Sequence, residues 1–217
     1  EQVAEKVGFD IVIGNPPYIR YQYLLDTQRE NLSDILLSHG MKSNKLINAW
    51  VGFLVACVQL LSETGKILFV IPAEIMQVAY AEDLRFFLSN SLSRLTLITF
   101  EKLVFSEIEQ EVVVFIGEKG DDEGLIRTIE LVDLDDLKSF DSRNYPFQKV
   151  QHIHEKWTQY FTTNEELALI QMIRNDRRFC SFSDVASINV GITTGNNSYF
   201  SIDDNTAQKY DLREVVI

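Results

Sequence analysis

The residues best suited to chemistry form one tetrapeptide near the start of the chain, Asn15-Pro16-Pro17-Tyr18, which we call the NPPY loop. Two successive prolines fix the backbone and remove two N–H donors, and the residue before a proline is held in an extended conformation. The loop therefore offers carbonyl acceptors, one amide side chain and one aromatic ring on a rigid rim.

This set of groups suits an exocyclic amine. The side-chain oxygen of Asn15 and the carbonyl of Pro16 can each accept one N–H of an NH2 group, which aims the nitrogen lone pair at an electrophilic methyl group. The same dipoles would stabilise the positive charge that builds on nitrogen, so no general base is needed before transfer. Tyr18 would stack on the flat group that bears the amine. The alternative interpretation is a tight turn made of turn-forming residues.

Buried strands have to position this loop. Residues 7–14 form a short apolar run, rich in β-branched residues and bounded by glycines, which predicts a parallel strand buried on both faces. In open α/β sheets ligands bind at the carboxyl ends of such strands, and the NPPY loop follows this one directly. Further strands are predicted over residues 66–71, 95–100, 112–116 and 126–132.

Helices are predicted between these strands, over residues 29–39, 46–62 and 81–90. The longest helix carries an apolar stripe that includes Leu46 and Phe53. Alternation of strands and helices is typical of an α/β layer with right-handed crossovers. The strand at 112–116 follows its predecessor too closely for a crossover helix, so we expect it to pair antiparallel.

The second half of the chain differs in character. Thr163 and Glu166 have the spacing of a capping box, which predicts a helix over residues 165–174. We place the domain boundary between a catalytic part, 1–149, and the start of a β-rich module, 150–217. Because the chain begins at Glu1 and stops inside an apolar run, we expect a fragment of a longer protein.

Composition narrows the class of protein. The net charge of -12 argues at first sight against a DNA partner, but residues 101–136 hold twelve of the 32 acidic and only three of the 20 basic residues. One solvated face could carry that excess while another face meets phosphate. The two cysteines, Cys57 and Cys180, lie far apart and are expected to be buried and reduced. Without a leader or a long unbroken apolar stretch, we expect a soluble cytoplasmic protein.

The decapeptide from Phe9 to Tyr18, FDIVIGNPPY, resembles in full the N6-adenine form of the (D/N/S)-P-P-(Y/F/W) motif of amino-methyltransferases that use S-adenosylmethionine. Glutamine methyltransferases that act on release factors share the tetrapeptide. Further blocks, at residues 45–50, 65–72, 102–105 and 112–115, are similar to those of γ-group adenine DNA methyltransferases of bacterial restriction-modification systems. The resemblance covers residues 7–118 and continues more weakly to the end.

This resemblance implies the carboxyl-terminal half of a Rossmann-like methyltransferase sheet, in an enzyme that transfers a methyl group from S-adenosylmethionine to N6 of a flipped adenine in double-stranded DNA. The NPPY loop would be catalytic, and Tyr18 and Phe105 would stack on the two faces of the base. An ordinary core aromatic is the alternative for Phe105.

The implied cofactor residues are Phe9, Asp10, Asn15 and Asn48, of which Asn48 is equally compatible with a polar position in the first turn of a helix. In the γ-group order, the glycine-rich cofactor loop and the acidic ribose-binding residue precede the NPPY loop, and no later G-x-G turn matches. We therefore expect the main cofactor motifs to be missing from this chain and the fragment to be inactive alone.

Residues 191–200 resemble the segment that opens the target-recognition domain of this family. Its polar side chains could contact phosphates or base edges, although a plain hairpin turn fits equally well. The implied DNA-binding residues are Thr193, Thr194, Asn196 and Asn197.

Two further clusters of side chains carry weaker signals. Arg174, Arg177 and Arg178 cluster at a predicted helix end, where they could contact phosphate or stabilise the helix dipole. His152 and His154 would share a face of an extended chain, but no third ligand accompanies them, so no metal site is expected.

Two other functions remain open from the sequence. A protein glutamine N5-methyltransferase would use the same amide–amine chemistry, but has little need of the module after residue 149. A non-catalytic DNA-recognition subunit could keep the loop as scaffold. A fused or partner endonuclease is compatible with either DNA-directed reading.

Overall fold

The computed structural model describes residues 8–105, 110–122, 124–150, 156–188 and 201–212 of the chain. They form two compact units, which divide between Leu167 and Ala168. The strands are β1 (Phe9–Gly14), β2 (Leu61–Pro72), β3 (Arg94–Phe100), β4 (Val112–Glu118), β5 (Leu125–Leu131) and β6 (Gln148–Lys149). The α-helices are α1 (Asp26–Ser38), α2 (Ala49–Gln59), α3 (Glu82–Ser91), α4 (Asn164–Asn175), α5 (Phe182–Val185) and α6 (Asp204–Lys209). Short 3-10 helices lie at Tyr21–Tyr23, Ala73–Met76, Ala79–Ala81, Leu134–Lys138, Ser142–Asn144 and Trp157–Phe161.

The six strands form one mixed sheet in the order β1-β2-β4-β3-β5-β6. β1 runs parallel to β2, and β3 runs parallel to β5. β4 lies antiparallel between β2 and β3, so β1, β2, β3 and β5 share one direction and end at one edge, which we call the carboxyl edge. The predicted α/β class and the antiparallel pairing of the strand at 112–116 are confirmed.

The centre of the sheet supplies most of the core. Ile67 and Ile71 of β2, Val113 and Phe115 of β4 and Leu97 of β3 are fully buried. Each such side chain contributes roughly 1.5–3 kcal/mol relative to an exposed one. Apolar residues of the helices pack against these strands. The fully buried ones include Trp50, Leu54, Val55 and Val58 of α2 and Leu88 of α3.

The first strand departs from its predicted burial. β1 is at an edge of the described sheet, where Val12 packs against the core but Ile11 and Ile13 are 65% and 72% exposed. The prediction of a strand buried on both faces is therefore wrong for this structure. Its apolar composition favoured two-sided burial, but the described helices cover only one side.

The helix predicted over residues 46–62 is real but shorter. Asn48 has extended backbone angles and forms the N-cap, so α2 begins at Ala49 and Leu46 lies outside it, 75% exposed. At the other end Leu61 already pairs with Phe9 as the first residue of β2. Residues 61 and 62, which the helical spacing predicted to end the helix, therefore belong to β2. The helices predicted over 29–39 and 81–90 are confirmed as α1 and α3 with shifted ends.

The capping box is confirmed. The Glu166 N–H donates to Thr163 Oγ1 at 3.2 Å, and the Thr163 N–H donates to a Glu166 carboxylate oxygen at 2.7 Å. The Thr163 N–H and, to a smaller extent, the Thr163 hydroxyl donate hydrogen bonds to the Glu166 carboxylate, and these bonds lower the pKa of Glu166. The compact unit that ends at Leu167 includes this start of α4, whereas the boundary at 149/150 remains a prediction of where the recognition module begins.

The cysteine prediction is only partly right, because Cys57 is half-buried and Cys180 is exposed; neither forms a disulfide. Cys180 follows α4 on a segment whose surrounding residues are also exposed. In the described parts of the chain, no helix combines the length and the apolar character that a bilayer crossing requires.

Candidate functional site

The NPPY loop lies at the carboxyl edge, which is where ligands bind to open α/β sheets. β1 ends at Gly14, which pairs with Phe69 of β2, and the loop follows at once. Pro16 is buried while Asn15 is exposed. Pro16 therefore anchors the loop, whereas Pro17 and Asn15 are exposed to solvent, where a substrate can reach the amide of Asn15.

The hydroxyl of Tyr18 is hydrogen-bonded to the backbone near the end of the neighbouring strand, β2. It donates to the carbonyl of Val70 at 2.8 Å, and burial raises the pKa of Tyr18 to about 12. The hydroxyl therefore stays protonated at neutral pH and keeps this hydrogen bond. The ring is half-buried, which fixes its orientation and leaves part of it accessible.

The chain leaving the loop is pinned to the start of α2. Arg20 forms an antiparallel backbone bridge with Asn48, and the Ala49 N–H donates to the carbonyl of Ile19 at 2.9 Å. The structure thus brings Asn48 beside the NPPY loop, at the N-cap rather than in the first turn. Among the described residues, Asn48 Oδ1 is buried without a hydrogen-bond partner. An unsatisfied buried acceptor costs roughly 1–3 kcal/mol, so a donor from a ligand would be stabilising here.

An apolar cavity of about 310 Å³, which we call the loop cavity, adjoins the NPPY loop between α1 and α2. Its lining consists of Pro17, Ile19, Leu24, Gln28, Asn31, Leu32, Ile35, Ala49, Gly52, Phe53 and Ala56. A Cβ at Gly52 would lie 2.5 Å from Leu32 Cδ1, so this glycine allows the two helices to approach closely.

Phe53 is the site residue that the sequence did not single out. It was assigned to the apolar stripe of α2, yet its side chain is 50% exposed and lines the loop cavity. Since α2 is apolar almost all round, spacing alone gives no sign of which side is open.

Phe105 lies beyond β3 on the same edge of the sheet. It is 36% exposed and is not part of the buried core, so the structure does not place it as an ordinary core aromatic. The two residues before it, Leu103 and Val104, line a second cavity of about 610 Å³.

Phe9 and Asp10 lie at the opposite end of β1 from Asn15. Asp10 precedes Asn15 by five positions of extended strand, which is roughly 16 Å. Asp10 instead accepts a hydrogen bond from Ser62 Oγ at 3.1 Å. The structure therefore does not bring these two residues to the loop, and their cofactor role remains a prediction.

Of the predicted DNA contacts, Thr193, Thr194, Asn196 and Asn197 lie outside the described residues, as do His152 and His154. Arg174 occupies the last turn of α4, and Arg177 is exposed just beyond it. Arg178 donates to the carboxylate of Asp176 at 2.6 Å, and this contact lowers the pKa of Asp176. A phosphate contact by the three arginines remains a prediction.

The strand order and an Asn-Pro-Pro-Tyr loop at the carboxyl end of a parallel strand define the class: an α/β methyltransferase sheet. Two family models match the chain. The Eco57I restriction-modification methylase matches residues 1–105, and the C-terminal domain of Type II methyltransferase M.Eco57I matches residues 154–217. Over most of its length the chain is therefore similar to the methyltransferases of restriction-modification systems, in agreement with the resemblance of its motifs.

Individual relatives agree with this assignment. The Type II methyltransferase M.AccI of Acinetobacter calcoaceticus is 24% identical over 96% of this chain and 39% of its own length. M.HincII of Haemophilus influenzae is 32% identical over 63% of this chain and 27% of its own length. A cryo-EM structure of a DrdV–DNA complex shares the fold, with a TM-score of 0.55 at 16% identity over 72% of this chain and 18% of that one. The chain thus spans about two fifths or less of these curated relatives.

Proposed function

We propose that the protein containing this chain methylates N6 of adenine in double-stranded DNA, with S-adenosylmethionine as the methyl donor. Residues 1–149 would form the catalytic half of its methyltransferase domain, and residues 150–217 would begin the target-recognition domain. The observation that carries the proposal is the NPPY loop at the carboxyl edge, with Asn15 exposed and Tyr18 fixed by Val70.

The residues of the loop would act by orienting the amine. Asn15 Oδ1 and the Pro16 carbonyl accept its two N–H groups, which turns the nitrogen lone pair towards the methyl group and stabilises the growing positive charge. Tyr18 is protonated at neutral pH, so it serves as a stacking surface and not as a base. S-adenosylmethionine, when bound, supplies the methyl group on a positively charged sulfur.

The residues around the loop cavity fit part of this cofactor. The walls of the loop cavity are mostly apolar, and its volume of about 310 Å³ is near the lower limit of the volumes of known ligand sites. Phe53 offers an aromatic face to a flat adenine ring, and the unpartnered Asn48 Oδ1 needs a donor that an amine or a hydroxyl could provide. We therefore expect Pro17 and Phe53, which line the cavity, to hold the adenosine end, together with Asn48, which directly precedes the lining residue Ala49.

The chain carries no G-x-G turn between a strand and a helix after its first strand. We infer that residues 1–217 alone bind the cofactor weakly and turn over little. The proposed partners are duplex DNA and, within a restriction-modification system, an endonuclease in the same or another chain. The proposed setting is the bacterial cytoplasm.

The test is transfer of labelled methyl from S-adenosylmethionine by the complete protein, offered duplex DNA and a release factor side by side. We expect label in DNA, and a loss of roughly 100-fold or more in Asn15→Ala, as when one charge-stabilising dipole is removed from an active site. Asn144→Ala, an exposed turn residue, is the matched control and should transfer normally.

Either of two results would contradict the proposal and indicate a different function. Label on the release factor would make the protein a glutamine methyltransferase. Tight binding of duplex DNA without any transfer would make it a recognition subunit that keeps the loop as scaffold.

A further inference from the structure

Acidic residues are distributed unevenly along the carboxyl edge. Residues 11–25 and 35–62, which include the NPPY loop and α2, contain no acidic residue, although the chain has 32. The other end of the same edge is acidic, because Glu101, Glu111 and Glu130 line the second cavity. Since like charges repel, a polyanion that approaches this edge is disfavoured at the second cavity and admitted beside the NPPY loop.

Two exposed cations, Arg20 and Lys45, border the NPPY loop. Arg20 lies two positions after Tyr18, and Lys45 lies three positions before Asn48, which pairs with Arg20 in an antiparallel bridge. Within the described part of the chain, neither cation forms an ion pair. By contrast, carboxylates hold the side chains of Arg29, Lys66, Arg94, Lys102, Lys138 and Arg143. Arg20 and Lys45 are therefore available to an external anion.

The backbone that carries Arg20 is held in place by hydrogen bonds. The Tyr23 N–H donates to the Arg20 carbonyl at 2.9 Å, and Arg29 donates to the carbonyls of Tyr21 at 3.1 Å and Gln22 at 2.9 Å. The Arg29 guanidinium also lies 5.4 Å from the centre of the Tyr21 ring. These contacts fix a turn on which the side chain of Tyr23 is 72% exposed.

The turn that carries Lys45 is held in the same way. The Leu46 N–H donates to Asn44 Oδ1 at 2.8 Å, and the Ile47 N–H donates to the Asn44 carbonyl at 3.2 Å. Ile47 is buried and anchors the turn in the core. Because the backbone of both segments is ordered before a ligand arrives, only side chains would lose freedom on binding.

The chemistry of the proposed reaction indicates which anion lies here. A flipped nucleotide stays joined to its strand through the phosphates on either side, so these phosphates have to pass close to the loop that holds the base. Arginine binds phosphate through its planar fork of donors, and lysine binds it as a point charge. Tyrosine hydroxyls donate to phosphates as well, which suits the exposed Tyr23.

We propose that Arg20, Tyr23 and Lys45, which we call the cationic rim, bind the phosphates that flank the target nucleotide. The inference rests on the proposed function, since it needs DNA whose target base is held at the NPPY loop. It gives the catalytic half a DNA contact of its own, whereas the predicted phosphate contacts all lie after residue 149. Lys42 is less suited, because its N–H donates to the Asp83 carboxylate at 2.9 Å and a negative charge therefore lies beside it.

The test is the salt dependence of DNA binding by the complete protein. Fluorescence anisotropy measures its affinity for a duplex that carries the methylated site, located first by sequencing the methylated product, at a series of NaCl concentrations. Arg20→Gln and Lys45→Gln should each reduce the slope of log K against log [NaCl] by about 0.9, because one counterion fewer is released. Such a slope corresponds to a loss of about fivefold in affinity at 0.15 M relative to 1 M salt. Tyr23→Phe should weaken binding less and leave the slope unchanged, since no charge is lost.

Arg143→Gln and Lys138→Gln are the matched controls, because they remove the same charges from ion pairs outside the cationic rim and should leave the slope unchanged. Arg20→Lys keeps the charge and should keep the slope, which separates a phosphate contact from a structural role of the arginine. Slopes of Arg20→Gln and Lys45→Gln equal to those of the controls, with a wild type that methylates DNA, would overturn the inference alone. Label on a release factor and none on DNA would instead overturn the proposed function, and the inference with it.

Discussion

Replacing Arg85 by methionine should destabilise the first unit substantially without touching the NPPY loop. Arg85 is only 2% exposed, and its two hydrogen bonds hold the turn after β2 through the carbonyls of Ile75 and Val78. Without Arg85 the Ile75 carbonyl loses this donor at a cost of about 1–3 kcal/mol, whereas the Val78 carbonyl still accepts the Ala81 N–H at 3.3 Å. Burial lowers the pKa of Arg85, which reflects the cost of desolvating its charge, and removing that charge offsets part of the loss.

The net effect is therefore about 1–3 kcal/mol in the free energy of unfolding, or a fall in Tm of about 2–12 °C for a chain of this size. Urea and thermal unfolding followed by circular dichroism measure it. Arg85→Lys should lie between the wild type and Arg85→Met. An ammonium group can still donate to these carbonyls, as Arg85 Nη1 does, but it is more strongly hydrated than a guanidinium and costs more to bury. Arg143→Met is the matched control, since Arg143 pairs with Asp141 on the open surface. Equal midpoints for Arg85→Met and Arg143→Met would refute the assignment of Arg85 as the clamp of this turn.

Three further outcomes are expected. Tyr18→Phe should unfold more easily by about 1 kcal/mol at pH 8, because it lacks the hydrogen bond to Val70. Since burial raises the pKa of Tyr18 to about 12, that advantage of the wild type is complete below pH 10 and should shrink as pH rises towards 12, which unfolding titrations test. Phe53→Ala in the complete protein should raise the KM for S-adenosylmethionine and leave DNA affinity unchanged in binding assays. Gly52→Val should lower Tm, because Leu32 occupies the space of its Cβ.

The parts of the fold that follow from local chemistry were predictable. An apolar, β-branched run followed by two prolines located the loop at the carboxyl edge, and the short gap before Val112 required an antiparallel strand. The capping box of Thr163 and Glu166 follows from spacing alone. These features depend on residues that are close together in the sequence.

The features that were missed depend on partners distant in the sequence. The exposure of Ile13 is set by the position of β1 at the sheet edge, and the start of α2 by the bridge between Arg20 and Asn48. Phe53 reads like any other apolar residue of α2 until α1 is seen to leave that face open. Trp157 belongs to no periodic pattern. The packing of Trp157 and Tyr160 in the main core therefore could not be predicted from the neighbouring residues.

The central claim is that the NPPY loop directs methyl transfer to the exocyclic amine of adenine. The most direct measurement is nucleoside analysis by mass spectrometry of duplex DNA treated with the complete protein and isotopically labelled S-adenosylmethionine. The account predicts that all label is recovered as N6-methyladenine and that Asn15→Ala lowers its formation roughly 100-fold or more. Label recovered as a methylated cytosine, or N6-methyladenine formed equally well by Asn15→Ala, would contradict it.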